Sequence, residues 1–346
     1  MSKKIEVGVL GATGSVGQQF LRLLKDHPFF TVSEIAASER SAGKRYRDVV
    51  NRISESDLPD GVADMIIQDA EGACNSQVLF SGLDSSVAGE VEAQHAAAGH
   101  IIISNSKNHR WDQYVPLLIP EVNHDHLALI RQQPYGKGCI VTNPNCSTIG
   151  VVMALKPLYD AFGINALSIT TLQAISGAGY PGLSASDIMD NVIPHIDGEE
   201  GKLESEPRKI LGTVSELGII PSDLKISAQV HRVPVSDGHT AAVQVAFADT
   251  PTPDEILEKW QQFTSRPQVL HLPSAPLRPI TYFTDAAHPQ PLLHRLTENG
   301  MGICTGRLRE CPIFGYKFTV LSHNTIRGAA GGAILCAELM KEDGWI

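Results

Sequence analysis

The chain has 346 residues with 38 acidic and 28 basic side chains, a formal net charge of −10. At roughly 100–200 residues per domain, that length suggests two domains whose cores need neither disulfides nor a structural metal. The acidic balance excludes nucleic acid as the main partner, since binding a phosphate backbone needs a basic face.

Residues 5–10 (IEVGVL) read as a buried strand that runs directly into Gly11-Ala12-Thr13-Gly14-Ser15-Val16-Gly17. Residues 18–25 place Phe20, Leu21 and Leu24 on one helical face, His27-Pro28 ends that helix, and residues 31–37 read as a second strand. Strand, glycine turn, helix and strand within about 35 residues make a βαβ unit, and hence a parallel sheet with right-handed crossovers. Further strands are expected over 78–81, 101–104 and 140–142, with an alanine-rich helix over 88–99.

Past Cys146 the pattern changes. A helix is expected over 148–162, a strand over 166–174, and a glycine- and charge-rich excursion from Ser176 to Gly212. Residues 228–233 and 240–248 look like an antiparallel pair joined through 234–239, with a helix over 251–265 and a strand over 316–321. A glycine- and alanine-rich helix over 325–340 should pack back on the first domain. The fold class is therefore α/β: a Rossmann-like parallel-sheet domain over residues 1–146, completed by 325–346, and an α+β domain over 147–324 with a largely antiparallel sheet.

The glycines at 11, 14 and 17 form a G-x-x-G-x-x-G variant of the dinucleotide fingerprint, in which helix N–H groups face a pyrophosphate. Gly11, Thr13, Gly14, Ser15, Val16 and Gly17 are the expected cofactor contacts there. The second strand ends in Ser38-Glu39-Arg40-Ser41-Ala42-Gly43-Lys44, where an acidic residue alone would select a free ribose hydroxyl. Ser38, Arg40 and Ser41, with Lys44, can instead receive a 2′-phosphate, although Glu39 is an adverse neighbour. NADP is the expected cofactor.

Six cysteines stand at 74, 139, 146, 304, 311 and 336, with no C-x-x-C pair and no zinc-finger spacing. No metal site is expected, and no window reaches the ~18 apolar residues of a membrane span. A reducing, cytoplasmic compartment follows. Cys146, in Asn143-Pro144-Asn145-Cys146-Ser147-Thr148, sits between a strand and a helix. A cysteine at a helix N-terminus meets the positive end of the dipole, which should lower its pKa, and free N–H groups that can receive an oxyanion. The other five cysteines have packing contexts.

GATGSVGQ, NPNCSTIG, QAISGAGYPG, NVIPHIDGEEGKLESEPRKILG, HRVPVSDGH and LSHNTIRGAAGGAIL together resemble aspartate-semialdehyde dehydrogenase, in its archaeal and fungal-like branch. The likeness runs from about residue 5 to 340. It implies that Cys146 is the nucleophile, Gln173 the glutamine beside the acyl intermediate and His239 the acid/base histidine. Arg232 then binds the substrate α-carboxylate and Glu199 its α-ammonium, with Glu200 an open alternative. Arg110 and Lys202 hold the exchanged phosphate, helped by Asn105 and Lys107, and Ser176, Gly177 and Asn324 contact the nicotinamide end. Without the resemblance, G-E-E-G-K would read as a solvated charged loop.

The implied reaction is the reversible NADPH-dependent reduction of L-aspartyl 4-phosphate to L-aspartate 4-semialdehyde and phosphate. It lies on the way to lysine, threonine and methionine. The resemblance also implies a homodimer or homotetramer built through the second domain. Malonyl-CoA reductase shares the scaffold but needs no ammonium ligand, and N-acetyl-glutamyl-phosphate reductase usually differs around its nucleophile. A non-catalytic NADP-binding sensor would not require the cysteine, glutamine, arginine and histidine together.

Overall fold

A computed structural model describes residues 3–50 and 55–346. The first sheet is built from β1 (Ile5–Leu10), β2 (Phe30–Ala37), β3 (Gln68–Asp69), β4 (Val78–Ser81), β5 (Ile101–Ser104) and β6 (Cys139–Thr142). Its order is β3-β2-β1-β4-β5-β6, with every pairing parallel. The order reverses between β1 and β4, which opens a crevice at their carboxyl ends, the usual ligand position in such sheets. Helix α1 (Ser15–Leu24) follows the glycine turn and buries Phe20, Leu21 and Leu24, and α2 (Ala88–Ala97) links β4 to β5. Gly11 has φ +73°, and a Cβ on Gly17 would stand 2.2 Å from the Gly11 carbonyl oxygen. The tight turn therefore depends on both glycines.

The second sheet contains β7 (Ile164–Gln173), β10 (Lys225–Arg232), β11 (His239–Phe247), β12 (Ile280–Phe283), β13 (Ile303–Cys311) and β14 (Gly315–Ser322); a small hairpin, β8 (Thr213–Ser215) and β9 (Gly218–Ile220), stands apart. Its order is β10-β7-β11-β14-β13-β12. The expected pairing of 228–233 with 240–248 does not occur. Strand β7 lies between them, parallel to β10 and antiparallel to β11. The reason is the connection: Val233 N–H bonds Gln173 O, Ile175 N–H bonds Val235 O and Ser176 N–H bonds Ser236 O, so the chain crosses over the end of β7 instead of turning tightly. That crossing brings Gln173, Arg232 and His239 to one end of the sheet.

One face of this sheet packs on α3 (Cys146–Phe162) and α5 (Pro253–Gln262), burying Leu167, Ile169, Val243, Val245, Phe318 and Val320 against Val152, Leu155 and Trp260. The excursion from Ser176 to Gly212 holds a twelve-residue helix, α4 (Glu199–Ile210), which the sequence reading leaves as a loop. Its charged face and internal Pro207 mask the helical period. The C-terminal segment is also not one helix. A π-turn over Ile326–Ala330, with Ala329 at φ −148° and ψ −105°, precedes α6 (Gly331–Glu342). Helix α6 does return to the first domain, where Ala333, Ile334 and Ala337 share a core with Val7, Phe80 and Ile103. Arg327 of the turn is tied to the first domain by a buried bidentate pair with Glu121, at 2.7 and 2.6 Å. No helix among the described residues is long and apolar enough to cross a membrane.

Candidate active site

Cys146 is the first residue of α3, and Asn145 caps that helix by accepting from the N–H groups of Ser147 (3.0 Å) and Thr148 (3.3 Å). Those two donors are therefore spent on the cap and cannot serve an oxyanion, contrary to expectation. The thiol is not acidified either. Burial, and then the charge of Glu199, push it up to about 12, and Arg110, Arg232 and Lys202 offset only part of that rise. Desolvation of a thiolate is the largest influence at this position. A Cβ on Gly328 would stand 2.8 Å from Cys146 Cβ, so the π-turn packs directly on Cys146.

His239 Nε2 lies 3.2 Å from Cys146 Sγ, and His239 Nδ1 accepts from the Ala174 N–H at 3.0 Å. An accepting Nδ1 carries no proton, so the neutral ring presents Nε2–H to the sulfur. Burial and the neighbouring Arg232 drive the imidazole pKa down to about 3. Arg232 donates through Nη1 to Ala174 O at 2.7 Å and is buried beside it.

Glu199 begins α4 and faces the thiol. Lys202 Nζ donates to it at 2.6 Å, Asn145 Nδ2 donates to both of its oxygens, and Gln173 Nε2 approaches at 3.3 Å. Burial alone would raise its pKa, but those partners outweigh burial and hold the carboxyl below the usual range. Glu200 points elsewhere, accepting from the Val230 N–H on β10, so of the two glutamates only Glu199 reaches the site.

A cavity of about 310 Å³ opens beside Cys146, with Asn105, Lys107, Arg110, Glu199 and Lys202 along one wall. Arg110 donates from Nη1 to Glu206 (2.8 Å) and from Nη2 to the Asn105 carbonyl (3.1 Å). Its Nε and the Nδ2 of Asn105 are buried donors without partners. Unspent buried donors are costly, and both residues line the cavity. Gln173, Arg232 and His239 lie one layer behind, covered by the turn that carries Ser176 and Gly177.

Ser15, Val16, Ser176, Gly177 and Asn324 also line this cavity, and Asn324 Nδ2 donates to Ser176 Oγ at 2.8 Å. Leu83 and Asp84 also line a second cavity of about 480 Å³, together with Gly11, Thr13, Gly14, Ser38 and Arg40. Two predicted contacts line neither cavity. Gly17 is packed beneath Gly11, and Ser41 turns back so that its N–H bonds Ser38 O. Lys44 also turns back, Nζ donating to Arg40 O. The second cavity carries more acid than the sequence suggested, since Asp69 and Glu71 join Glu39 on its wall.

Comparison with known proteins agrees with this geometry. Residues 6–130 match the semialdehyde dehydrogenase NAD binding domain and residues 155–327 the semialdehyde dehydrogenase dimerisation domain. The aspartate-semialdehyde dehydrogenase of Schizosaccharomyces pombe is 46% identical over 98% of this chain and 98% of its own, and that of Archaeoglobus fulgidus is 45% identical over 98% and 99%. The chain belongs to the aspartate-semialdehyde dehydrogenase family. A crystal structure of the Candida albicans aspartate-semialdehyde dehydrogenase with NADP superposes with a TM-score of 0.91, at 41% identity over 99% of this chain and 100% of that one.

In this semialdehyde dehydrogenase, sequence reasoning missed Asn145 and Glu206. Asn145 was readable as an N-cap from its place just before the helix. Glu199, Lys202 and Glu206 recur at i, i+3 and i+7 and so share one face of α4, a period that becomes visible once the segment is read as a helix.

Proposed function

We propose that this protein is an NADP-dependent aspartate-semialdehyde dehydrogenase, interconverting L-aspartyl 4-phosphate and L-aspartate 4-semialdehyde through a thioacyl group on Cys146. The observation that carries this reading is the set of groups around one thiol: a histidine donor at 3.2 Å, the Glu199 carboxylate, and two unspent donors on Arg110 and Asn105. Glu199 suits a substrate that bears an ammonium, which malonyl-CoA lacks.

Sγ of Cys146, as the thiolate with its proton released to solvent, attacks the acyl carbon, the bond to the phosphate oxygen breaks, and phosphate departs toward Arg110, Asn105 and Lys202. Arg232 binds the α-carboxylate and Gln173 flanks the acyl group. Lys202 rests on Glu199 in this state; a substrate ammonium takes the same partner and leaves Lys202 to the phosphate. When bound, NADPH supplies the hydride that reduces the thioester. That reduction leaves the negative charge on the former carbonyl oxygen, from which it passes to sulfur as the hemithioacetal collapses to aldehyde and thiolate, and the Nε2–H of His239 donates to whichever atom carries it.

The strand–turn–helix at Gly11 to Gly17, with its adjoining cavities, fits a dinucleotide with its pyrophosphate at the start of α1. Ser38 and Arg40 support a 2′-phosphate, as does the Candida albicans relative solved with NADP. Residues 1–146 with 325–346 then form the cofactor unit, and 147–324 the catalytic and dimerisation unit. The face of the second sheet opposite α3, carrying Thr170, Leu172, Ala242 and Gln244, suits a homodimer or homotetramer contact. All six cysteines are unpaired, in keeping with work in the cytoplasm on the route to lysine, threonine and methionine.

The test is to supply the purified protein with aspartate semialdehyde, NADP and phosphate. NADPH should form, its rate should fall to background without phosphate, and kcat/KM should be higher with NADP than with NAD. Absence of that activity beside brisk reduction of malonyl-CoA would overturn the assignment.

A further inference from the structure

Glu206 is almost completely buried, yet its carboxylate joins two parts of the site that are far apart in sequence. Oε1 accepts from Arg110 Nη1 at 2.8 Å, and Oε2 accepts from the Asn145 N–H at 2.7 Å. Asn145 in turn caps α3 and holds Glu199. We propose, building on the function above, that Glu206 is a positioning residue for the exchanged phosphate: it aims Arg110 at the anion and fixes that anion's distance from Cys146.

The bonding of Arg110 supports this reading. Hydrogen bonds to two fixed acceptors set the orientation of a planar guanidinium. Glu206 and the Asn105 carbonyl hold the two terminal nitrogens of Arg110, and Arg110 and Asn105 both line the cavity beside Cys146. The same helix grips the backbone behind Arg110, because Lys209 Nζ donates to the carbonyls of Arg110 (2.6 Å), Asp112 (3.2 Å) and Val115 (2.9 Å). Helix α4 thus places Glu199 and Lys202 by its first turn and Arg110 by its last two. A carboxylate beside a phosphate arginine is not there to bind phosphate, which it repels. Its role must pass through the arginine.

The experiment uses the intact enzyme and Glu206→Gln, which keeps the shape and removes the charge. Initial rates are measured against phosphate, aspartate semialdehyde and NADP in turn. The expected result is a phosphate KM raised about tenfold, with the KM values for semialdehyde and NADP within about twofold of wild type. In an Arg110→Ala background the same substitution should raise the phosphate KM no further, because the residue through which it acts is gone. Glu206→Asp, which restores the charge with a shorter reach, should recover part of the loss. An unchanged phosphate KM would overturn the proposal, and so would an equal rise with and without Arg110. It would also fail if neither variant could be recovered folded, since the carboxylate would then be a folding element. Wild-type turnover with phosphate tests the function itself, so the two ideas fail separately.

Discussion

Replacing Cys146 by Ser is expected to lower turnover by about 10⁴-fold or more while leaving NADP affinity within about twofold. The oxygen of serine is a poor nucleophile unless a base removes its proton, and His239 is not arranged to be that base, because its Nε2 already carries hydrogen. The same geometry makes a second statement about the native thiol. Its neutral form is favoured by burial, with a pKa pushed up to about 12, so the thiolate fraction of the free enzyme should grow about tenfold per pH unit below that value. Alkylation of Cys146 by iodoacetamide should therefore keep rising from pH 7 to 10. A plateau near neutrality would show that the helix dipole and the three cations outweigh burial after all. Glu199 is the second cause of the rise, so a cation paired with it should lower the Cys146 pKa. Substantial turnover by Cys146→Ser would remove the thioacyl route altogether.

How much of this was legible without coordinates depends on how local each signal is. The βαβ unit at the N-terminus was readable because strand, glycine turn and helix follow one another, and Gly11 and Gly17 meet across only six residues. The helix start at Cys146 was readable for the same reason. The neighbours of β7 were not, since pairing with β10 and β11 is decided by a crossover held through backbone bonds at 173–176 and 233–236. The candidate residues carried by motifs, Cys146, Glu199, Lys202, Asn105 and Arg110 among them, line one cavity in the fold. Their charge states were not legible, because the pKa of Cys146 depends on Glu199, Arg110 and Arg232, which come together only in the fold. Glu206 stayed hidden until its helix and its two distant partners were both in view.

Substituting His239 by Ala should reduce kcat by about 10²–10⁴-fold with little change in the KM for phosphate. The outcome depends on which proton the ring holds. Ala174 N–H points at Nδ1, so protonating that nitrogen would set two hydrogens against each other as well as bury a cation beside Arg232. Both effects act in one direction, toward the neutral form, and the pKa falls to about 3 from its usual value near 6.5. The sign is then fixed. Above about pH 3 the ring keeps Nε2–H as a donor, and across pH 5–8 its protonation does not change. The wild-type kcat/KM profile should consequently show no acid-side break near 6.5 that depends on this residue. If such a break exists and disappears in His239→Ala, the ring is exchanging a proton as imidazolium, and the donor role assigned to Nε2–H is wrong. If kcat falls and the shape of the profile is unchanged, the histidine works as a fixed hydrogen-bond donor to the charge on sulfur and oxygen.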